Sequence, residues 1–285
     1  MKFQNPVIKN DPSRICLTAD PHVNLFGGVY HHCYEANGSL FVATFPTLSD
    51  FNSEKRTEHR VYTQKDVVQC FAPELHLIDD EYYIYGAPCP KDSDIHFVCV
   101  YKSKDKTPTG EFELLGEVEG IGKAWSIDAT VFEYLGNRYM IYTTCKTIYI
   151  SKMKSPTALE CAPVAITSPE LTWETTVTEG PAVIFDGDTP VLIYSANDSA
   201  CDDYCLGMMR LSGNDPLAPG AWKKHKEPIL TKNIGMYGPG HCSFTEEDGE
   251  LYCIYHANLE SGTGWNGRSI FIKRAYFEDK ILKFD

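Results

Sequence analysis

The sequence predicts an all-β fold, a five-bladed β-propeller occupying residues 1–285 as a single domain. Three observations predict it. Helical periodicity is scarce, while short apolar or aromatic runs alternate with polar turns along the whole chain. Aromatic residues make up 12% of the composition, with 17 Tyr and 14 Phe, and such side chains suit the pleated, half-buried surface of a sheet. Five hairpins recur with turn centres 42, 56, 51 and 62 residues apart, a period that fits one four-stranded blade per repeat.

In chain order, the first hairpin joins residues 32–36 to 40–44 across Asn37-Gly38-Ser39. The second joins 75–78 to 82–85 across Asp79-Asp80-Glu81, and the third joins 130–134 to 139–142 across Gly136-Asn137. The fourth joins 182–185 to 191–194 across Asp186-Gly187-Asp188, and the fifth joins 242–245 to 251–255 across Asp248-Gly249. Asn, Asp and Gly tolerate the left-handed backbone that tight hairpins demand. Residues 102–111 and 212–220 are polar, contain Pro or Gly, and read as connections between strands. No Trp-Asp dipeptide occurs, which weighs against a scaffold propeller of the WD40 kind.

Bulk properties narrow the function classes. A net charge of −13 argues against a nucleic-acid partner and leaves room for a neutral ligand such as a sugar. Hydrophobic content of 43% supports a well-filled core, and no run approaches the roughly 18 apolar residues of a membrane span. The 11 cysteines are odd in number and irregular in spacing, which points to free thiols in a reducing compartment. The opening MKFQNPVIKN shows no apolar core of a signal peptide, so the expected location is cytoplasmic.

Charged residues stand just upstream of the hairpins. Asp128, Glu179 and His241 lie eight residues before Gly136, Gly187 and Gly249, and Glu74 lies six before Asp80. Asp20 precedes the first hairpin at a longer distance, across the segment Leu25-Phe26-Gly27-Gly28. These five residues are spaced by 54, 54, 51 and 62. In a propeller the first strand of each blade starts at the mouth of the central channel, so such positions converge. Singly, each has an ordinary reading: a turn starter for Asp20, a surface strand residue for Glu74, a cap for Asp128, a lysine partner for Glu179, a core histidine for His241. Together, several carboxyls gathered in one place would cost stability, and that cost favours a functional site. Asp202-Asp203, between Cys201 and Cys205, reads as a solvated loop and not a metal clip.

Six stretches carry a resemblance: Asn5-Pro6-Val7-Ile8, Ala19-Asp20-Pro21-His22, Phe71-Ala72-Pro73-Glu74-Leu75-His76, Ser126-Ile127-Asp128-Ala129-Thr130, Glu179-Gly180-Pro181-Ala182 and Gly238-Pro239-Gly240-His241-Cys242-Ser243-Phe244. From residue 5 to about residue 258 the chain resembles glycoside hydrolase family 43. The resemblance implies a five-bladed propeller that removes arabinofuranose or xylose from plant saccharides with inversion. It assigns Asp20 as general base, Asp128 as the residue that sets the pKa and orientation of the acid, and Glu179 as general acid. Asp11, in Asp11-Pro12-Ser13, is a rival for the base. His241 corresponds to a central histidine often found beside a water-ligated cation, commonly calcium; no cofactor is required. Glu74, Phe71, Trp125 and Arg268 are implied substrate contacts, Phe71 standing where many members have Trp. Arg268 matches only the first position of an Arg-x-x-Arg-x-Gln pattern, and His22 replaces an aromatic after Asp-Pro.

The chemistry fits on its own terms. Inversion needs two carboxyls about 6.5–9.5 Å apart with water between, and an acid whose pKa is raised by burial or a neighbouring charge. Asp128 can supply that charge to Glu179, and Pro181 removes a backbone donor nearby. The expectation is an exo-acting α-L-arabinofuranosidase on short oligosaccharides. The alternatives are a β-xylosidase, then an endo-arabinanase, or a non-catalytic sugar-binding propeller.

Overall fold

In the computed structural model, which describes residues 3–10, 15–144 and 146–285, the apolar runs become strands of five antiparallel sheets. The first sheet holds β1 (His22–Phe26), β2 (Val29–Ala36), β3 (Ser39–Phe45) and β4 (Thr57–Thr63). The second holds β5 (Val67–Ile78), β6 (Glu81–Pro90), β7 (Cys99–Ser103) and β8 (Phe112–Glu117). The third holds β9 (Ile127–Tyr134), β10 (Asn137–Thr144) and β11 (Thr147–Ser155), with β12 (Ala158–Leu159) and β13 (Val164–Thr167) both paired to β11. The fourth holds β14 (Thr178–Asp186), β15 (Thr189–Ala196), β16 (Cys205–Leu211) and β17 (Trp222–Lys224). The fifth holds β18 (Tyr237–Glu247), β19 (Glu250–Asn258), β20 (Arg268–Glu278) and β21 (Ile281–Phe284). The sheets stand around a central channel as the five blades of a propeller, first strands innermost.

Each blade buries both faces, which explains apolar runs that do not alternate with polar residues. In Val191-Leu192-Ile193-Tyr194, Val191 and Ile193 pack towards the fifth blade while Leu192 and Tyr194 pack towards the third. Five such apolar layers close the ring, one per blade interface. Fully burying one such leucine is worth about 1.5–3 kcal/mol.

The ring closes where the start of the chain meets the last blade. Val7 N–H donates to the Ile270 carbonyl and Ile270 N–H to the Ile8 carbonyl, each at 2.8 Å. Asn5 brackets the Ile272 peptide: its Oδ1 accepts from Ile272 N–H and its Nδ2 donates to Ile272 O, both at 2.8 Å. Residues 5–8 thus lie along β20, fixed to its backbone by these bonds.

One hairpin assignment changes. The turn at Asn37-Gly38 joins the second and third strands of blade one, whereas the later four join first to second. The inner hairpin of blade one runs through Gly27-Gly28, whose φ angles of 58° and 79° suit a two-residue turn. The segment Leu25-Phe26-Gly27-Gly28, which lengthened the distance from Asp20 to the first hairpin, is the end of an inner strand and its turn. The polar stretches around 102–111 and 212–220 fall between third and fourth strands, β7 to β8 and β16 to β17.

Candidate active site

With the inner hairpins aligned on their second turn residue, each blade has one left-handed residue eight positions upstream. These are Asp20 (φ 47°), Ala72 (φ 39°), Asp128 (φ 56°), Gly180 (φ 54°) and His241 (φ 44°). From the second blade onwards the residue sits in a bulge at the entry of the inner strand, where the register slips between Phe71 and Glu74, opposite Ile141–Thr143, between Glu179 and Ala182, and between Gly240 and Cys242. A bulge re-aims one side chain out of the ladder, here towards the channel mouth. Glu179 therefore precedes the repeated position by one residue and Glu74 follows it by two; neither shares the register of Asp128 and His241.

Asp20, Asp128, Glu179, His241, Phe71 and Arg268 all line one cavity of about 260 Å³ at this mouth, to which every blade contributes. Glu74 and Trp125 are not among its lining residues. Trp125 packs on His96 at 4.8 Å between ring centres, and His96 in turn stacks on Phe71 at 3.8 Å. Asp11 lies outside the described residues.

The three acids sit in unlike surroundings. Burial alone would raise the Asp20 carboxyl, but His241 and Arg268 outweigh it and hold Asp20 well below the usual carboxylate range. Its Oδ1 lies 3.3 Å from His241 Nδ1, 3.3 Å from His256 Nδ1 and 3.4 Å from an Arg268 guanidinium nitrogen. Burial pushes His256 down to about 3, with the Arg268 charge adding to it, so that ring is neutral. Burial also disfavours charge on His241, yet Asp20, Asp128 and Glu179 raise it on balance.

Glu179 is pushed up to about 7, by burial first and by the Asp128 charge second. Asp128 is raised as well, through burial and the charge of Asp20, while its Oδ2 accepts the Gly180 N–H at 2.9 Å. Glu179 Oε1 accepts the Tyr204 hydroxyl at 2.9 Å. The arrangement keeps one carboxyl ionised and another protonated near neutrality. That is how environment divides acid and base roles among like side chains.

One layer deeper stand the residues two positions on, among them His22 and Glu74. Glu74 Oε2 lies 2.9 Å from His76 Nε2 and 3.6 Å from His22 Nε2. The three could face a metal ion, but the hydrogen bonds count against it. His22 Nδ1 accepts the Leu75 N–H at 3.1 Å, so the neutral ring carries its proton on Nε2, the atom a metal would need bare. The trio is a hydrogen-bonded support beneath the mouth.

The motif reading missed Tyr204, Ser195, His256 and Trp265. His256 sits in an apolar strand with no local mark of a role. Trp265 lies in a short 3-10 turn, Gly264–Gly267; its indole N–H donates to Ser199 Oγ at 3.0 Å and the ring is 59% exposed in the cavity wall. An exposed Trp on a Gly-flanked loop is the one signal that could have found it.

Comparison with known proteins agrees with this picture. The family model described as Glycosyl hydrolases family 43 matches residues 4–282. An extracellular exo-alpha-(1->5)-L-arabinofuranosidase of Streptomyces chartreusis is 29% identical over 287 residues, 90% of this chain and 82% of that protein. A protein of the same description from Streptomyces avermitilis is 37% identical over 205 residues, 65% of this chain but only 42% of its own length, so the match spans well under half of that relative. A crystal structure of an alpha-L-arabinofuranosidase from Lactobacillus brevis superposes with a TM-score of 0.85 at 25% identity, covering 97% of this chain and 95% of that one.

Proposed function

Because the chain belongs to glycosyl hydrolases family 43, we propose that it is an exo-acting α-L-arabinofuranosidase that hydrolyses short arabino-oligosaccharides with inversion. The observation that carries this reading is the opposite displacement of two carboxyls in one cavity, Asp20 downwards and Glu179 upwards. Glu179 donates its proton to the glycosidic oxygen as the bond to the anomeric carbon breaks. Asp20, ionised, takes a proton from the water that attacks the opposite face. The closest contacts of Asp20 fall on Oδ1, which leaves Oδ2 for that water. Asp128 holds Glu179 protonated through its charge and stays beside it through the Gly180 N–H.

A small cavity walled by all five blades suits one terminal sugar, with Trp265 at the rim offering a face to the next residue. The arabinose assignment draws on the relatives, whose descriptions name arabinofuranosidases. Calcium enters no step. It takes six to eight oxygen ligands, and His241 offers a ring whose Nδ1 already faces Asp20 at 3.3 Å. The nine free cysteines described support work in a reducing compartment, on oligosaccharides already taken up.

The test pairs aryl α-L-arabinofuranoside with aryl β-D-xyloside and arabinobiose, with NMR of the first-formed anomer. Turnover of the arabinosides with inverted product is expected. Preference for the xyloside would move the enzyme to the xylosidases, and a retained anomer would remove the mechanism. Glu179→Gln should slow arabinobiose about 10³-fold or more and an activated aryl glycoside far less. Equal losses would deny Glu179 the acid role.

A further inference from the structure

Tyr204 is fully buried, yet its hydroxyl reaches Glu179 from a strand-entry position 25 residues further along the chain. Tyr204 donates to Glu179 Oε1 at 2.9 Å. Beside it stands Ser195, whose Oγ accepts the His241 N–H at 2.7 Å and whose hydroxyl favours the ionised form of Tyr204.

The pocket for the Tyr204 ring is cut to shape. One face stacks on His256, with centres 5.9 Å apart and planes within 8°. Against its edge lies Gly240, where a Cβ would fall 2.0 Å from Tyr204 Cε1. Gly180, at the bulge, keeps a similar clearance: a Cβ there would come within 3.1 Å of both Ser195 Oγ and the His241 ring. Two glycines of the strand entries thus make room for Tyr204 and for Ser195.

Resting on the glycosidase reading above, we propose that Tyr204, held in its slot against His256 and Gly240, is a positioning residue that decides which oxygen of Glu179 carries the catalytic proton. The oxygen that accepts the Tyr204 hydrogen bond is the carbonyl oxygen of the protonated acid. Oε1 fills that role, so the proton resides on Oε2. When Oε2–H breaks, the proton goes to the glycosidic oxygen and the electron pair stays on the carboxyl. The charge spreads to Oε1, where the Tyr204 O–H already points. The Tyr204 hydroxyl therefore stabilises the state after proton transfer more than the state before it, which is the condition for speeding the step.

The experiment uses Tyr204→Phe, which keeps the ring in its slot, and Ser195→Ala, which removes the neighbouring hydroxyl that favours the ionised Tyr204. Losing a donor to a carboxylate raises the carboxyl pKa. The basic limb of the kcat profile should move to higher pH in both variants, further in Tyr204→Phe. At pH 6, kcat for arabinobiose should fall about tenfold in Tyr204→Phe and less for an activated aryl arabinofuranoside. An unmoved basic limb together with equal losses on both substrates would overturn the proposal, since a merely structural tyrosine gives that result. A 13C-carboxyl NMR titration of Glu179 in the wild type and in each variant separates this idea from the glycosidase reading. If no sugar is turned over, an upward shift of the Glu179 titration still supports the contact and an unchanged titration sinks it. Should Tyr204→Phe not fold, Ser195→Ala decides by the same two readouts.

Discussion

At the residue scale, the site works because three carboxyls share one cavity without sharing one pKa. As the proposed general acid, Glu179 must be protonated to act, so activity should hold on the acid side and fall about tenfold per pH unit above about 7. Removing the neighbouring charge with Asp128→Asn makes the Glu179 anion easier to form. The basic limb should then move to lower pH, and a kcat profile across pH 5–9 checks the sign. The same shift sets a stability slope: between 4.5 and about 7 the native Glu179 holds a proton that the unfolded chain has released, so its contribution to stability falls as pH rises through that window. Asp20, Asp128 and Glu179 were legible because each sits in a short local motif beside Pro, Ala or Gly. Tyr204, Ser195 and His256 were not, because they reach the site through strand pairing and ring stacking with no local pattern. Glu74 illustrates the limit from the other side. Its motif is plain, yet two residues along a strand are enough to move it one layer below the mouth.

At the element scale, the unit that places chemistry is the bulge at the start of each inner strand. A left-handed residue costs roughly 1–2 kcal/mol when it is not glycine, and Asp20, Ala72, Asp128 and His241 all bear that cost. Gly180 is the repeat that avoids it, and it is also the donor to Asp128. Gly180→Ala should lower stability by about 1–2 kcal/mol in urea unfolding and reduce kcat by displacing that N–H. Unchanged stability and unchanged kcat would show that the bulge is not under the constraint its φ indicates. The five-fold register was partly hidden in the sequence. Asn37-Gly38 is a stronger hairpin signal than Gly27-Gly28, so the first blade was counted from its second hairpin. Counted from the true inner turn, Asp20 falls eight residues upstream like its counterparts, and the apparent irregularity of blade one disappears.

At the scale of the whole molecule, five sheets could be inferred from hairpin spacing, but how the ring shuts could not. The closing bonds join residues more than 250 positions apart, such as Asn5 with Ile272. Asn5→Ala removes two of them, each worth about 1 kcal/mol, and should lower the melting temperature by roughly 3–6 °C. Calorimetry showing no change would mean that residues 5–8 rest on the last blade without holding it.

That joint has a further consequence. Asp20 belongs to the first blade, whereas His241 and Arg268, which lower its pKa, belong to the last. The environment of the proposed general base is thus split across the one interface that forms last in chain order. A molecule with four interfaces made and the fifth ajar would keep nearly all its strands and most of its core. It would still have lost the side chains that hold Asp20 in position. Hydrolytic rate is then a sensor of circumference: it reports whether the two ends of the chain have met.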